Sequence, residues 1–267
     1  MIRTSDDVRL FHRALGAGPP VLFLASWSLP SDSWGQPMLA MAEAGLRAVA
    51  YDRRGHGRSD HPPGGYDYDR LADDLAEVMA ALDLREVTLV AMSGAAGEAV
   101  RCLTRHGAAR VARLALIGPT TPLLQQAPDN PDGIPAAALD ALRAELRADF
   151  PAWLAANARP FGGPKPSEAM LDWIRGLALQ ASLPGLLAFH RALAGTDFRA
   201  ELAALRLPVL VIQGSADETC PIDLTGRRSA ALIPGARLQE YAGAPHGLIV
   251  SDPVRLATDL VAFARGA

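Results

Sequence analysis

An α/β architecture, with a mostly parallel central sheet and helices on both of its faces, is predicted by three observations. Short, almost wholly apolar runs recur at 21–25, 48–51, 87–90, 114–117 and 209–212, as strands buried on both faces require. Helical periodicity separates most of them, so strand and helix alternate along the chain in the manner of a doubly wound fold. Residues 120–205 interrupt that alternation with no strand pattern, which marks an insertion of helices.

In chain order, residues 8–15 alternate loosely and run into Gly16-Ala17-Gly18-Pro19-Pro20, a pattern for an edge hairpin strand and a turn. The runs 21–25 and 48–51 are the first buried strands. A surface helix follows: Leu71, Leu75, Val78, Met79 and Leu82 recur at steps of three and four, with Asp73, Asp74 and Glu77 on the other side. The run at 87–90 leads into Leu89-Val90-Ala91-Met92-Ser93-Gly94-Ala95-Ala96-Gly97, where an apolar strand stops at a serine and a helix-compatible sequence begins. The 114–117 strand comes next. Pro and Gly then divide residues 120–205 into helices, one of them carrying Leu139, Leu142 and Leu146 on a single face. Phe150, Trp153, Phe161, Trp173 and Phe189 are expected in the internal core of this unit rather than against a substrate. An insertion at strand ends covers any site formed there, so 120–205 is expected to be a helical cap on a core domain made of 1–119 and 206–267. After the 209–212 strand the chain closes on a helix, with Asp252 as N-cap, Pro253 in the first turn, and Leu256, Leu260 and Phe263 facing inward.

Composition removes several function classes. The chain of 267 residues is 49% apolar, its net charge is −3 and no basic block occurs, so neither nucleic acid nor an anionic membrane surface is an expected partner. Lys165 is the single lysine and carries no mechanism. Residues 1–7 lack the apolar core of a signal peptide, and no run approaches the roughly 18 apolar residues of a membrane span, so a cytoplasmic protein is expected. Cys102 and Cys220 are far apart and are expected to be reduced thiols. The six histidines show no H-E-x-x-H or similar spacing, and no metal is expected.

Acyl transfer by serine needs a nucleophile, a base that takes its proton, an acid that orients the base, and N–H donors for the oxyanion. A serine on a sharp strand-to-helix corner stands in the position of the G-x-S-x-G nucleophile elbow, although Ala91 and Ala95 take the places of its glycines. Past the 209–212 strand, Gln213-Gly214-Ser215-Ala216-Asp217 places a carboxylate just beyond a strand end, with Asp223 as a nearby rival. Gly243-Ala244-Pro245-His246-Gly247 puts a histidine in a tight loop before the last helix. Each residue has a plainer reading, as an N-cap, a turn residue or a loop histidine bonded to backbone. Their conjunction, in the order Ser, Asp, His and each at a strand end, is far less frequent than any member alone.

Longer motifs carry a resemblance. Asp52-Arg53-Arg54-Gly55-His56-Gly57-Arg58-Ser59-Asp60, Gly97-Glu98, Arg105-His106-Gly107 and Gly243-Ala244-Pro245-His246-Gly247 resemble those of the α/β-hydrolase superfamily, and within it the cofactor-free (non-heme) chloroperoxidase and arylesterase group. Asn130-Pro131-Asp132-Gly133-Ile134-Pro135, Thr196-Asp197-Phe198 and Pro221-Ile222-Asp223 are similar as well, so the likeness spans essentially the whole length. It implies an α/β-hydrolase fold, Ser93 as nucleophile, His246 as base, Asp217 as orienting acid, and an oxyanion hole from the backbone N–H groups of Trp27 and Gly94. It also implies Trp27 and Met92 beside the substrate, a small acyl molecule as partner, and no cofactor.

Three departures stand out. The group's H-G-W-P loop reads Ala25-Ser26-Trp27-Ser28, the elbow glycines are Ala91 and Ala95, and the bulky residue after the nucleophile is Gly94, which either widens the acyl side of the pocket or loosens the elbow. The elbow is nonetheless expected to stay sharp, with Ser93 in hydrogen-bond reach of His246. The leading expectation is a serine hydrolase of a small carboxylic ester or lactone, with a weak perhydrolase or haloperoxidase side activity because Ser28 replaces the proline. Two alternatives remain: a biosynthetic tailoring hydrolase acting on an acyl intermediate, and a ligand-binding protein on a retired hydrolase scaffold.

Overall fold

The computed structural model describes residues 1–266. Strand β1 (Ile2–Arg3) pairs with β2 (Arg9–Leu10) in a small ribbon, and β3 (His12–Leu15) begins the main sheet. Then come β4 (Pro20–Leu24), a 3₁₀ turn (Ser31–Trp34), α1 (Gly35–Glu43), β5 (Arg47–Tyr51), α2 (Tyr68–Ala81), β6 (Val87–Met92), α3 (Ala95–His106) and β7 (Val111–Ile117). Five helices follow without a strand: α4 (Ala136–Ala148), α5 (Phe150–Gly162), α6 (Glu168–Ala178), α7 (Leu183–Gly195) and α8 (Arg199–Ala204). The chain then returns through β8 (Val209–Gly214), α9 (Gly226–Leu232), β9 (Arg237–Tyr241), the short α10 (Leu248–Ser251) and α11 (Pro253–Ala264).

The sheet has seven strands in the order β3-β5-β4-β6-β7-β8-β9, parallel throughout except for β3, which runs antiparallel along β5. All five apolar runs are strands of it. Because side chains alternate across a strand, each run feeds both faces. Leu22, Leu24, Val49, Leu89 and Ala91 pack with Leu71, Leu75 and Val78 of α2 and with Ala99 and Val100 of α3. Val21, Phe23, Ala48, Ala50, Val90 and Met92 pack on the other face with Met38 and Met41 of α1 and with Leu256, Leu260 and Phe263 of α11.

Strand β9 escapes an apolar-run criterion, since Arg-Leu-Gln-Glu-Tyr sits at the sheet edge with only Tyr241 fully buried. Two side chains differ from expectation. Asp74, assigned to the outer side of its helix, is buried and accepts two hydrogen bonds from Arg54 at 2.6 and 2.7 Å, because the arginine-rich loop after β5 brings a guanidinium beneath α2. Asp252 occupies the N-cap position of α11, yet its carboxylate does not cap and turns to Lys165 instead. Among the described residues no helix is long and apolar enough to cross a membrane.

Candidate active site

Three strand ends converge at one edge of the sheet. Strand β6 ends at Met92, and Ser93 adopts φ +59°, the left-handed conformation of a sharp turn, before α3 begins. Its backbone N–H still bonds to Ile117 O at 2.8 Å, and its carbonyl accepts from Ala96 N at 3.0 Å, so the corner is tied to β7 and α3 at once. The elbow therefore keeps its turn despite Ala91 and Ala95, both fully buried.

Beyond β8, Asp217 is buried with every carboxylate lone pair direction in use. Thr219 N and Cys220 N donate to Oδ1 at 3.0 and 2.7 Å, and Gln213 Nε2 and His246 Nδ1 reach Oδ2 at 3.0 and 2.7 Å. The contact fixes the His246 tautomer, because a carboxylate can only accept. The rival Asp223 is instead an exposed partner of Arg227 at 2.6 Å. Gly118 makes the space for this pair: at φ +50°, a Cβ there would lie 3.1 Å from His246 Nδ1 and 3.4 Å from Asp217 Oδ2.

His246 Nε2 is buried and has no hydrogen-bond partner. Ser93 donates no hydrogen bond to it. Burial and the Asp217 charge push the thiol of Cys220, which lines the same cavity, well above its ordinary range. The thiol is therefore a neutral, inert neighbour.

Ser93, His246 and Cys220 line a cavity of about 450 Å³ together with Trp27, Ser28 and side chains of the helices between β7 and β8. Trp27 locks the loop after β4. Its indole donates to Leu186 O at 3.0 Å, its carbonyl meets His56 Nε2, and its rings stand edge-on to Phe150, Trp153 and His190. Among the described residues neither the Trp27 nor the Gly94 backbone N–H is taken by another backbone group. Gly94 is the N-cap of α3, where first-turn donors have no helical partner.

Met92 is a correction: it is fully buried and does not line the cavity, because alternation along β6 puts it with Val90 in the core on the α1 and α11 side of the sheet. The two readings of Gly94 also meet a different answer. A Cβ there would lie 3.2 Å from Phe189 and 3.3 Å from Leu193, so α7 fills the volume a larger residue would occupy. Of the five aromatic residues expected in the internal core, Phe150 and Phe189 are buried, whereas Trp153 and Phe161 line the cavity and Trp173 is 43% exposed. Phe161 stands edge-on to His246 at 5.8 Å. A helix in a thin layer has two useful sides, and a period that marks the inner one cannot say whether it meets side chains or a cavity.

Sequence reasoning passed over Gly118 and His190, and read Cys220 only as a reduced thiol. Behind the site lies a second group that the motifs did contain. Arg53 pairs with Glu98 at 2.7 Å, donates to Ala25 O at 2.9 Å and stacks on Phe189 at 4.6 Å, and Tyr51 donates to Glu98 at 2.7 Å. This buried network joins β5, the Trp27 loop, α3 and α7.

Comparison with known proteins gives concordant results. The model of the alpha/beta hydrolase family matches residues 21–259. A non-heme chloroperoxidase of Kitasatospora aureofaciens is 37% identical over 270 residues, covering 97% of each chain. A bifunctional esterase/perhydrolase of Acinetobacter calcoaceticus is 34% identical, with 99% of each chain covered. Among solved structures, an esterase from Exiguobacterium antarcticum superposes with a TM-score of 0.96 at 29% identity, over 99% of this chain and 98% of that one.

Proposed function

The chain belongs to the α/β-hydrolase family, and from that premise we propose that it is a serine hydrolase that cleaves a small carboxylic ester or lactone through an acyl-enzyme, with Ser93, His246 and Asp217 as its triad. One observation carries the reading. Ser93 stands on a strained corner at the cavity, beside a buried histidine whose Nδ1 is held by a carboxylate and whose Nε2 is unpartnered. Strain of this kind costs of order 1–3 kcal/mol and persists where surrounding structure enforces it, as the ties to β7 and α3 do here.

The Ser93 hydroxyl gives up its proton to His246 Nε2 and attacks the ester carbonyl. The N–H groups of Trp27 and Gly94 receive the developing oxyanion. Asp217 stabilises the imidazolium, which then protonates the leaving alcohol. Water, activated by the same nitrogen, releases the acid. Residues 120–205 act as a cap, since α4 to α7 supply most of the cavity wall away from the sheet. Hydrogen peroxide in place of water would yield a peracid, and this side reaction is weak because Ser28 lacks the ring that fixes the loop in proline-bearing relatives of the group.

A fluorophosphonate tests the assignment directly. One equivalent attached to the peptide containing Ser93 is the expected result; failure to label, or attachment elsewhere, would overturn it.

A further inference from the structure

Of the polar side chains on the cavity wall opposite the sheet, Asn157 donates to Trp153 O and Arg175 pairs with Asp172, which leaves His190 as a group that neither these bonds, the triad nor the oxyanion hole uses. His190, on α7, is 8% exposed, lines the cavity and packs edge-on against Trp27 at 5.9 Å. Its Nδ1 lies 3.0 Å from Arg143 Nη1, on α4. A guanidinium can only donate, so Nδ1 accepts, and the single proton of a neutral imidazole must sit on Nε2. Nε2 makes no hydrogen bond among the described residues and is not one of the fully enclosed unpartnered atoms. Arg143 is itself fixed, with Nη2 donating to Asp140 at 2.6 Å.

We propose that His190 Nε2–H is a substrate-reading donor, held in its tautomer by Arg143, and that the preferred substrate is an ester carrying a second, uncharged oxygen acceptor such as a keto or ether group. The inference rests on the acyl-transfer reading and names what that site prefers. The rest of the wall near His190, including Leu139, Leu142 and Leu193, is apolar. A purely hydrocarbon substrate would leave Nε2–H buried and unpaired, and a site with such a donor discriminates against a ligand that cannot satisfy it. An uncharged acceptor fits better than a carboxylate, because Asp140 already matches the Arg143 charge. Burial, together with Arg143 and Arg191, holds the His190 pKa down to about 4, so the imidazole is neutral at physiological pH.

Two isosteric pairs separate the donor from its packing: p-nitrophenyl levulinate against isocaproate on the acyl side, and methoxyethyl against butyl acetate on the alcohol side. In His190→Leu, kcat/KM for at least one oxygen-bearing ester should fall roughly three- to tenfold relative to its hydrocarbon isostere, the effect of one neutral hydrogen bond, and His190→Gln should recover part of it. Equal losses within both pairs would show a packing residue and overturn the proposal. Long-range ¹H–¹⁵N spectra provide a readout independent of turnover. They should show His190 protonated at Nε2, with the preference relaxed in Arg143→Met, and protonation at Nδ1 in the unmutated chain would overturn the proposal. If the unmutated protein hydrolysed no ester, the acyl-transfer reading would fall, and the spectra would still decide the donor.

Discussion

Gly118 is the residue on which the His246–Asp217 contact depends most closely. Its φ of +50° is one that side-chain-bearing residues rarely adopt, and its missing Cβ is the space into which the imidazole fits. Gly118→Ala should therefore lower kcat by about ten- to a hundredfold, since a displacement of about an ångström at a reacting group has consequences of that size. Steady-state hydrolysis of p-nitrophenyl acetate measures this, and an unchanged kcat would mean that the pair has room to move. No pattern in the sequence marked Gly118, because Ile117-Gly118-Pro119 reads only as a turn. Ser93, Asp217 and His246 were legible for the opposite reason: each ends an apolar run or sits in a motif of several residues. Spacing alone left Asp223 as a rival to Asp217, which only the resemblance singled out, since both follow the same strand and it is the fold that turns one towards His246 and the other towards Arg227. His190 was invisible because what makes it polar in effect is Arg143, 47 positions away in sequence.

The elements around the elbow are joined by the Arg53–Glu98 pair, with side chains 4% and 1% exposed. The motifs that suggested a family contain both residues, and the structure supplies the physical reason for their company: one guanidinium ties a carboxylate of α3 to the carbonyl of Ala25 in the loop after β4. Glu98→Ala would leave Arg53 buried without a counter-charge. Breaking a buried pair in this way costs about 3–5 kcal/mol, a loss to be read from the midpoint of urea unfolding. A change below about 1 kcal/mol would indicate that water reaches Arg53. At this scale the five apolar runs were readable as strands because parallel strands covered on both faces admit few polar residues. The edge strand β9, with one face towards solvent, has no such signature. The elbow's small residues were readable as departures, but not their compensation, since Phe189 and Leu193 of α7 reach Gly94 across a wide gap in sequence.

Across the whole molecule, one sheet edge gathers the loops after β4, β6, β8 and β9, and the helices between β7 and β8 close a cavity over them. Crevices beyond the carboxyl ends of parallel strands are where such sheets bind ligands. The alternation of runs and helices foretold this arrangement, whereas the cavity's shape depends on how five helices pack and had no local signal. The central claim is that Ser93 supplies the nucleophile of this cavity. Its most direct test is the turnover of p-nitrophenyl acetate by Ser93→Ala, measured beside the thermal midpoint of the same variant. The account predicts a fall in kcat on the order of 10⁴-fold or more with the midpoint nearly unchanged, because removing the nucleophile leaves only binding and oxyanion stabilisation. A folded Ser93→Ala protein that hydrolyses the ester at the unmutated rate would contradict it.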